Sequence, residues 1–116
     1  MGRTDYAILG AGAIGSVLGA HLARAGHAVV MLARGERAAQ IEHQGLVIRG
    51  LAEFTMPVPV VRDPSALKSA RVLVVATKTP GTAAALSALR HASFDAVFSI
   101  QNGPGKNDLL AQAFGS

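Results

Sequence analysis

A chain of 116 residues, half of them hydrophobic and only 16% charged, forms one domain at most and packs as a globule instead of staying disordered. Its formal charge of +4 comes from few acids rather than many bases, and Arg24, Arg34, Arg49, Arg62, Arg71 and Arg90 are scattered singly, which argues against nucleic acid and suits a small phosphorylated ligand. The absence of cysteine excludes disulfides, thiolate chemistry and zinc knuckles, and apolar runs no longer than a strand give no signal peptide or membrane span, so the cytoplasm is the default.

Tyr6-Ala7-Ile8-Leu9 is a short apolar run ending at Gly10 and reads as a buried parallel strand. Ile14, Val17, Leu18, Leu22 and Ala25 then recur at helical spacing, with Gly26 as the stop. Residues 28–33 form a second apolar strand, so the chain opens as strand, glycine turn, helix, strand, with a right-handed crossover. A second helix is expected over 36–43, closed by Gly45. Residues 46–49 and 53–56 read as two short strands around Gly50-Leu51-Ala52, a hairpin added to the sheet. Pro57 and Pro59 argue against a long central strand, and Asp63-Pro64-Ser65 starts a short helical turn through Leu67. Residues 72–76 are the strongest strand. Pro80 can open a helix whose apolar face includes Leu86 and Leu89, residues 96–100 are the last clear strand, and 108–114 a closing helix. The alternation predicts an α/β fold with a mostly parallel, doubly wound sheet of Rossmann type, helices on both faces and the short hairpin added.

Gly10-Ala11-Gly12-Ala13-Ile14-Gly15 is a full GxGxxG in the context that such a motif needs, after a strand and before an amphipathic helix. Gly10 permits the tight turn, Gly12 lets backbone approach a pyrophosphate, and Gly15 allows close helix–strand packing. The helix N-terminus then offers unpaired amides and a partial positive charge to phosphate. The plainer reading is a purely structural turn between strand and helix.

At the end of the second strand, an acid would accept from the ribose hydroxyls of NAD, whereas an arginine suits the 2′-phosphate of NADP. Arg34 occupies that slot, Arg37 follows within reach, and a guanidinium fork fits phosphate, so NADP is favoured. Glu36 keeps NAD open if the register is displaced by two residues, and a solvated surface arginine is the bland alternative. Lys78, in Thr77-Lys78-Thr79-Pro80, and Asn102, in Gln101-Asn102-Gly103, each follow the carboxyl end of a strand, where open parallel sheets bind ligands. Alone, each could be a surface lysine or a simple turn. His21, His27, His43 and His91 have no carboxylate or serine arrangement around them, so neither a catalytic triad nor metal-ligand spacing is present.

Together these residues resemble the N-terminal domain of the ketopantoate reductase (2-dehydropantoate 2-reductase) family. The resemblance rests on the Gly10 to Gly15 fingerprint followed by Ser16-Val17-Leu18-Gly19, on Arg34-Gly35, on Gly45-Leu46, on Lys78 and on Gln101-Asn102-Gly103. It implies NADPH-dependent reduction of the ketone of a branched 2-oxo acid, 2-dehydropantoate to pantoate, in pantothenate biosynthesis. It also implies roles: Arg34 on the 2′-phosphate, Lys78 near the cofactor, and Asn102 between nicotinamide ribose and substrate. Two positions depart from the family pattern: Gly81 stands where a glutamine is frequent, and Pro104 follows the Gln-Asn-Gly. Both bear on the substrate, since paralogues acting on other 2-oxo acids share this framework.

The family's proton-donating lysine and acidic substrate ligand belong to a helical C-terminal domain that has no counterpart here. The chain is therefore expected to be a dinucleotide-binding domain without a catalytic residue, inactive alone, with that domain and a small 2-oxo acid as its partners. Self-association into a homodimer stays open. The rival from another class is a stand-alone dinucleotide sensor, favoured only by the missing second half.

Overall fold

Ala7-Ile8-Leu9 carries no polar side chain on either face, so it is stable only as a strand covered from both sides. In the computed structural model, which describes residues 4–50, 53–76 and 82–100, this run forms β1 (Tyr6–Leu9) at the centre of a sheet. Its parallel neighbours are β2 (Val29–Leu32) on one side and β6 (Ser69–Val75) on the other. A two-residue strand, β5 (Val60–Val61), pairs with β2, and β7 (Ser93–Ser99) pairs with β6, both parallel. Two further strands, β3 (Leu46–Ile48) and β4 (Phe54–Met56), stand outside this sheet, whose order is β5-β2-β1-β6-β7.

Alternation along the strands divides the core into two layers. Ile8, Met31 and Val74 are buried with Ala20 of α1 (Ala13–Arg24) and Ile41 of α2 (Gly35–Gln44). Leu9, Leu32, Leu73 and Val75 point the other way, onto Leu86 of α3 (Thr82–Ala88), Leu89 just beyond it, and Leu67 after the 3-10 turn Pro64–Ala66. Helices thus cover both faces, and the doubly wound, mostly parallel α/β fold expected from the sequence is the one that forms. No helix among the described residues is long and apolar enough to cross a membrane.

The differences from expectation have physical causes. The hairpin forms, but as a separate two-stranded antiparallel sheet in which Leu46 pairs with Met56 and Ile48 with Phe54, and it joins α1 instead of the main sheet. Its buried side chains, Leu46 and Ile48, belong to the α1 layer. The sequence offers no apolar run long enough to reveal β5, and the prolines limit it to an edge. Both β6 and β7 begin three residues before their apolar stretch, because the pairs Ser69–Ser93 and Ala70–Phe94 extend the ladder through backbone hydrogen bonds that need no apolar side chain. The expected turn at Leu51-Ala52, the helix start at Pro80 and the helix over 108–114 lie outside the described residues.

Leu73 is fully buried between β1 and the α3 layer. Leu73→Ala should lower the unfolding free energy in urea by about 2–5 kcal/mol. The exposed hairpin change Thr55→Ala should stay within about 0.5 kcal/mol of the unmodified chain.

Candidate functional site

The register ends the strands on one row. Leu9 pairs with Leu32 and with Val75, Leu32 with Val61, and Val75 with Ser99. Gly10, Ala33, Arg62, Ala76 and Ile100 therefore leave the sheet side by side at its carboxyl edge. The chain runs outward from β1 through β2 to β5 and then crosses to β6 on the other side of β1. The strand order reverses there, and in open parallel sheets that crevice is where ligands sit.

The glycine turn is built for this position, and its glycines do different work. Gly10 has φ +107°, which residues with a side chain rarely adopt. Gly15 faces the strand end so closely that a Cβ there would lie 2.1 Å from the Gly10 carbonyl oxygen and 3.2 Å from the Ala76 Cβ. Gly12, the N-cap of α1, has φ −74°, and a Cβ built on it would meet nothing within 4 Å. Neither conformation nor packing requires glycine at 12. What remains is the approach of a ligand to the backbone. The first turn of α1 has no side-chain cap and no acidic residue, which leaves its amides and partial positive charge available to an anion.

A cleft of about 550 Å³ opens beside this turn, walled by Gly10, Ala11, Gly12 and the ends of β1 and β2 on one side and by Pro64 and α3 on the other. Arg34, Arg37 and Arg62 all line it, and no acidic side chain does among the described residues. The three arginines are not equivalent. Arg62 donates to Glu42 of α2 at 2.5 and 3.3 Å; the guanidinium holds the Glu42 carboxyl below its ordinary range, and the pair stays ionised at neutral pH. Arg37 donates from Nε to the Ala11 carbonyl at 2.8 Å, from Nη2 to Ser16 Oγ at 2.6 Å, and from Nη1 to Gln40 Oε1 at 3.3 Å. Arg34, the N-cap of α2, is exposed, and its side chain makes no hydrogen bond or ion pair among the described residues. Gly35 behind it has φ +65°, the turn that lets α2 start directly after the strand.

On the opposite wall, Thr82 Oγ1 is buried without a hydrogen-bond partner among the described residues. The Pro64 turn is held by Asp63, whose Oδ1 accepts from the Ser65 hydroxyl at 2.8 Å and the Ser65 amide at 3.0 Å. Those bonds keep the Asp63 carboxyl below its usual range.

Of the residues expected from sequence, Gly10, Ala11, Gly12 and Arg34 meet on the cleft wall. Ala13 and Ile14 open α1, and Ile14 carries its side chain away from the cleft into a separate apolar hollow with Val17, Leu18, His21 and Ile100. Gly15 is buried as a packing residue. Glu36 lies on the first turn of α2 and does not line the cleft. Lys78 and Asn102 fall outside the described residues. Sequence reasoning gave Ser16 no chemical role, and gave Arg37 only nearness to the Arg34 loop. Their bond joins residues 21 positions apart, which no local pattern signals. Among the described residues no group of His, Asp and Glu could hold a metal ion.

A family model described as ketopantoate reductase PanE/ApbA matches residues 6–116. The 2-dehydropantoate 2-reductase of Pyrococcus abyssi is 38% identical over 107 residues, which cover 90% of this chain and 35% of that protein. The crystal structure of a PanE/ApbA family ketopantoate reductase from Ralstonia eutropha JMP134 aligns with a TM-score of 0.83 at 35% identity, over 93% of this chain and 37% of that one. A D-mandelate dehydrogenase in ternary complex with NADH and anilino(oxo)acetate aligns with a TM-score of 0.80 at 25% identity, over 93% and 36%. The chain thus spans about a third of the length of the curated relatives it matches.

The two inner glycines should separate on measurement. Gly15→Ala forces a Cβ against the Gly10 carbonyl and should cost about 1–3 kcal/mol in urea unfolding. Gly12→Ala should change stability by less than about 1 kcal/mol, since the added methyl meets no protein atom.

Proposed function

This chain belongs to the ketopantoate reductase PanE/ApbA family, and from that premise we propose that it is the NADPH-binding half of an oxidoreductase that reduces a 2-oxo acid, 2-dehydropantoate to pantoate. The observation that carries the cofactor assignment is Arg34. It stands at the end of β2, and among the described residues no acid lines its cleft and its guanidinium has no partner. An arginine at that position is the NADP arrangement of a Rossmann domain. The other two cleft arginines are already engaged, by Glu42 and by the glycine turn.

Bound NADPH supplies the hydride. The residues of this chain bind and orient it. The open amides at Gly12 and the first turn of α1 receive the pyrophosphate, and the absence of a side chain at Gly12 lets the backbone come close. Arg34 takes the 2′-phosphate through a charge-assisted fork. The apolar wall of Leu9, Leu32 and Ala85 suits the adenine. Lys78, beyond β6, is assigned to the cofactor, and Asn102, beyond β7, to the nicotinamide ribose and the substrate. Proton donation and the rest of substrate binding are assigned to the remainder of a longer polypeptide, since the matched relatives are about three times as long. The NADH in the D-mandelate dehydrogenase complex gives the NAD reading its specific support, and Glu36 would then be the ribose ligand.

Titration calorimetry separates the two. The unmodified chain should bind NADPH about five- to a hundredfold more tightly than NADH, as expected from a charge-assisted contact of about 1–3 kcal/mol, and Arg34→Ala should abolish most of that preference. Equal affinities in the unmodified chain would reject the NADP assignment. NADPH absorbance with 2-dehydropantoate tests the division of labour. This chain alone should show no measurable oxidation, because orientation of the acceptor and proton donation are both lacking; rapid turnover would place a catalytic group within these 116 residues.

A further inference from the structure

Among the described residues the Arg37 side chain makes three hydrogen bonds and no ion pair, although it lies on the wall of an anion-suited cleft. Two of its bonds cross from α2 to the first loop of the fold. Nε holds the Ala11 carbonyl at 2.8 Å, and Nη2 holds Ser16 Oγ at 2.6 Å. Ser16 is itself buried and donates to the same Ala11 carbonyl at 3.0 Å. One carbonyl oxygen therefore receives two donors, and those donors are bonded to each other.

The peptide plane so held is the one joining Ala11 to Gly12. It is trans, so its C=O and N–H point in opposite directions and turn together as one rigid unit. Fixing the Ala11 oxygen fixes the direction of the Gly12 amide. Gly12 has no side chain or packing contact of its own to do so, since even a Cβ there would touch nothing. Among the described residues the acceptors of Arg37 are all neutral and none compensates its positive charge beside the turn. We propose that Arg37 is a positioning residue for the glycine turn: with Ser16 it presets the Ala11–Gly12 peptide for a pyrophosphate, and it ties that turn to the helix whose N-cap is Arg34. The proposal rests on the reading of the turn as a dinucleotide seat. It gives the two arginines separate tasks, Arg34 selecting the phosphorylated ribose and Arg37 serving any dinucleotide.

Two measurements on the 116-residue chain test this. In the amide NMR spectrum without ligand, Arg37→Met should displace the Gly12 resonance while leaving Gly26, at the far end of α1, in place. An unmoved Gly12 signal overturns the positioning role whatever the cofactor is. In calorimetric titrations, Arg37→Met should weaken NADPH and NADH by the same factor, about tenfold, from loss of charge-assisted bonds. Ser16→Ala should weaken both by less, and the double variant should be no worse than Arg37→Met alone, because both act through one carbonyl. Arg37→Lys, which keeps the charge without the fork, should recover only part of the affinity. A loss confined to NADPH would make Arg37 a direct 2′-phosphate ligand, and full recovery by lysine would make its charge alone sufficient; either overturns the proposal. A chain that binds neither dinucleotide, with the Gly12 displacement intact, rejects the cofactor reading and leaves the preset turn standing.

Discussion

Helix α1 meets the sheet at a point where there is no side chain at all. The space between Gly15 and the Gly10 carbonyl is so small that a single methyl group would overlap it. That contact sets where the helix begins relative to the end of β1, and so where its unpaired amides stand relative to the crevice. One turn further on, Gly19 repeats it against Met31, Ile8 and Leu46, which keeps α1 low over the sheet along its length. The hairpin then rests on the helix, with the Arg24 guanidinium 4.5 Å above the Phe54 ring and the His21 ring 5.1 Å from it. Displacing the helix outward at Gly15 would loosen every one of these layers and move the unpaired amides of its first turn with them.

Much of this was legible because local patterns and global fold agree. A strand with no polar residue, a glycine turn and an apolar helical stripe occupy consecutive positions, and each constrains the next. The two core layers follow from parity along β1 and β2 alone. The parts that were hidden are those decided by contact across the fold. The hairpin's preference for α1 over the sheet edge depends on Leu46 and Ile48 finding a place in the α1 layer. The strand at Val60–Val61 has no periodicity to read, and its pairing comes from the carbonyl of Pro59 and the neighbouring backbone on β2. In the site, Arg34 could be singled out from its place after a strand, whereas the difference between Arg34 and Arg37 could not. Arg34 caps α2 and Arg37 lies in its first turn, so the two are close in sequence and their partners distinguish them.

The division of labour among the cleft arginines bears on the proposed choice of NADP over NAD. Three guanidinium groups around one cleft would attract any polyanion if all were free. Glu42 cancels the charge of Arg62 across the rim, and neutral oxygens occupy the donors of Arg37. Among the described residues one fork remains, that of Arg34 at the end of β2. Selection between two dinucleotides that differ by one phosphate needs a local difference of this kind, since a diffuse positive field would favour both.

The brevity of β5 has a consequence for the life of the domain in a crowded solution. A sheet edge exposes a row of amides and carbonyls that can recruit a strand from another molecule, and natural sheets guard against this by keeping edge strands short. On this side the edge is only two residues long, follows Pro57 and Pro59, and runs directly into the Asp63 turn. A foreign strand would find too few consecutive bonds to hold its register. The stretch that looked least structured in the sequence thus protects the side of the sheet next to the cleft from aggregation, without covering the cleft itself.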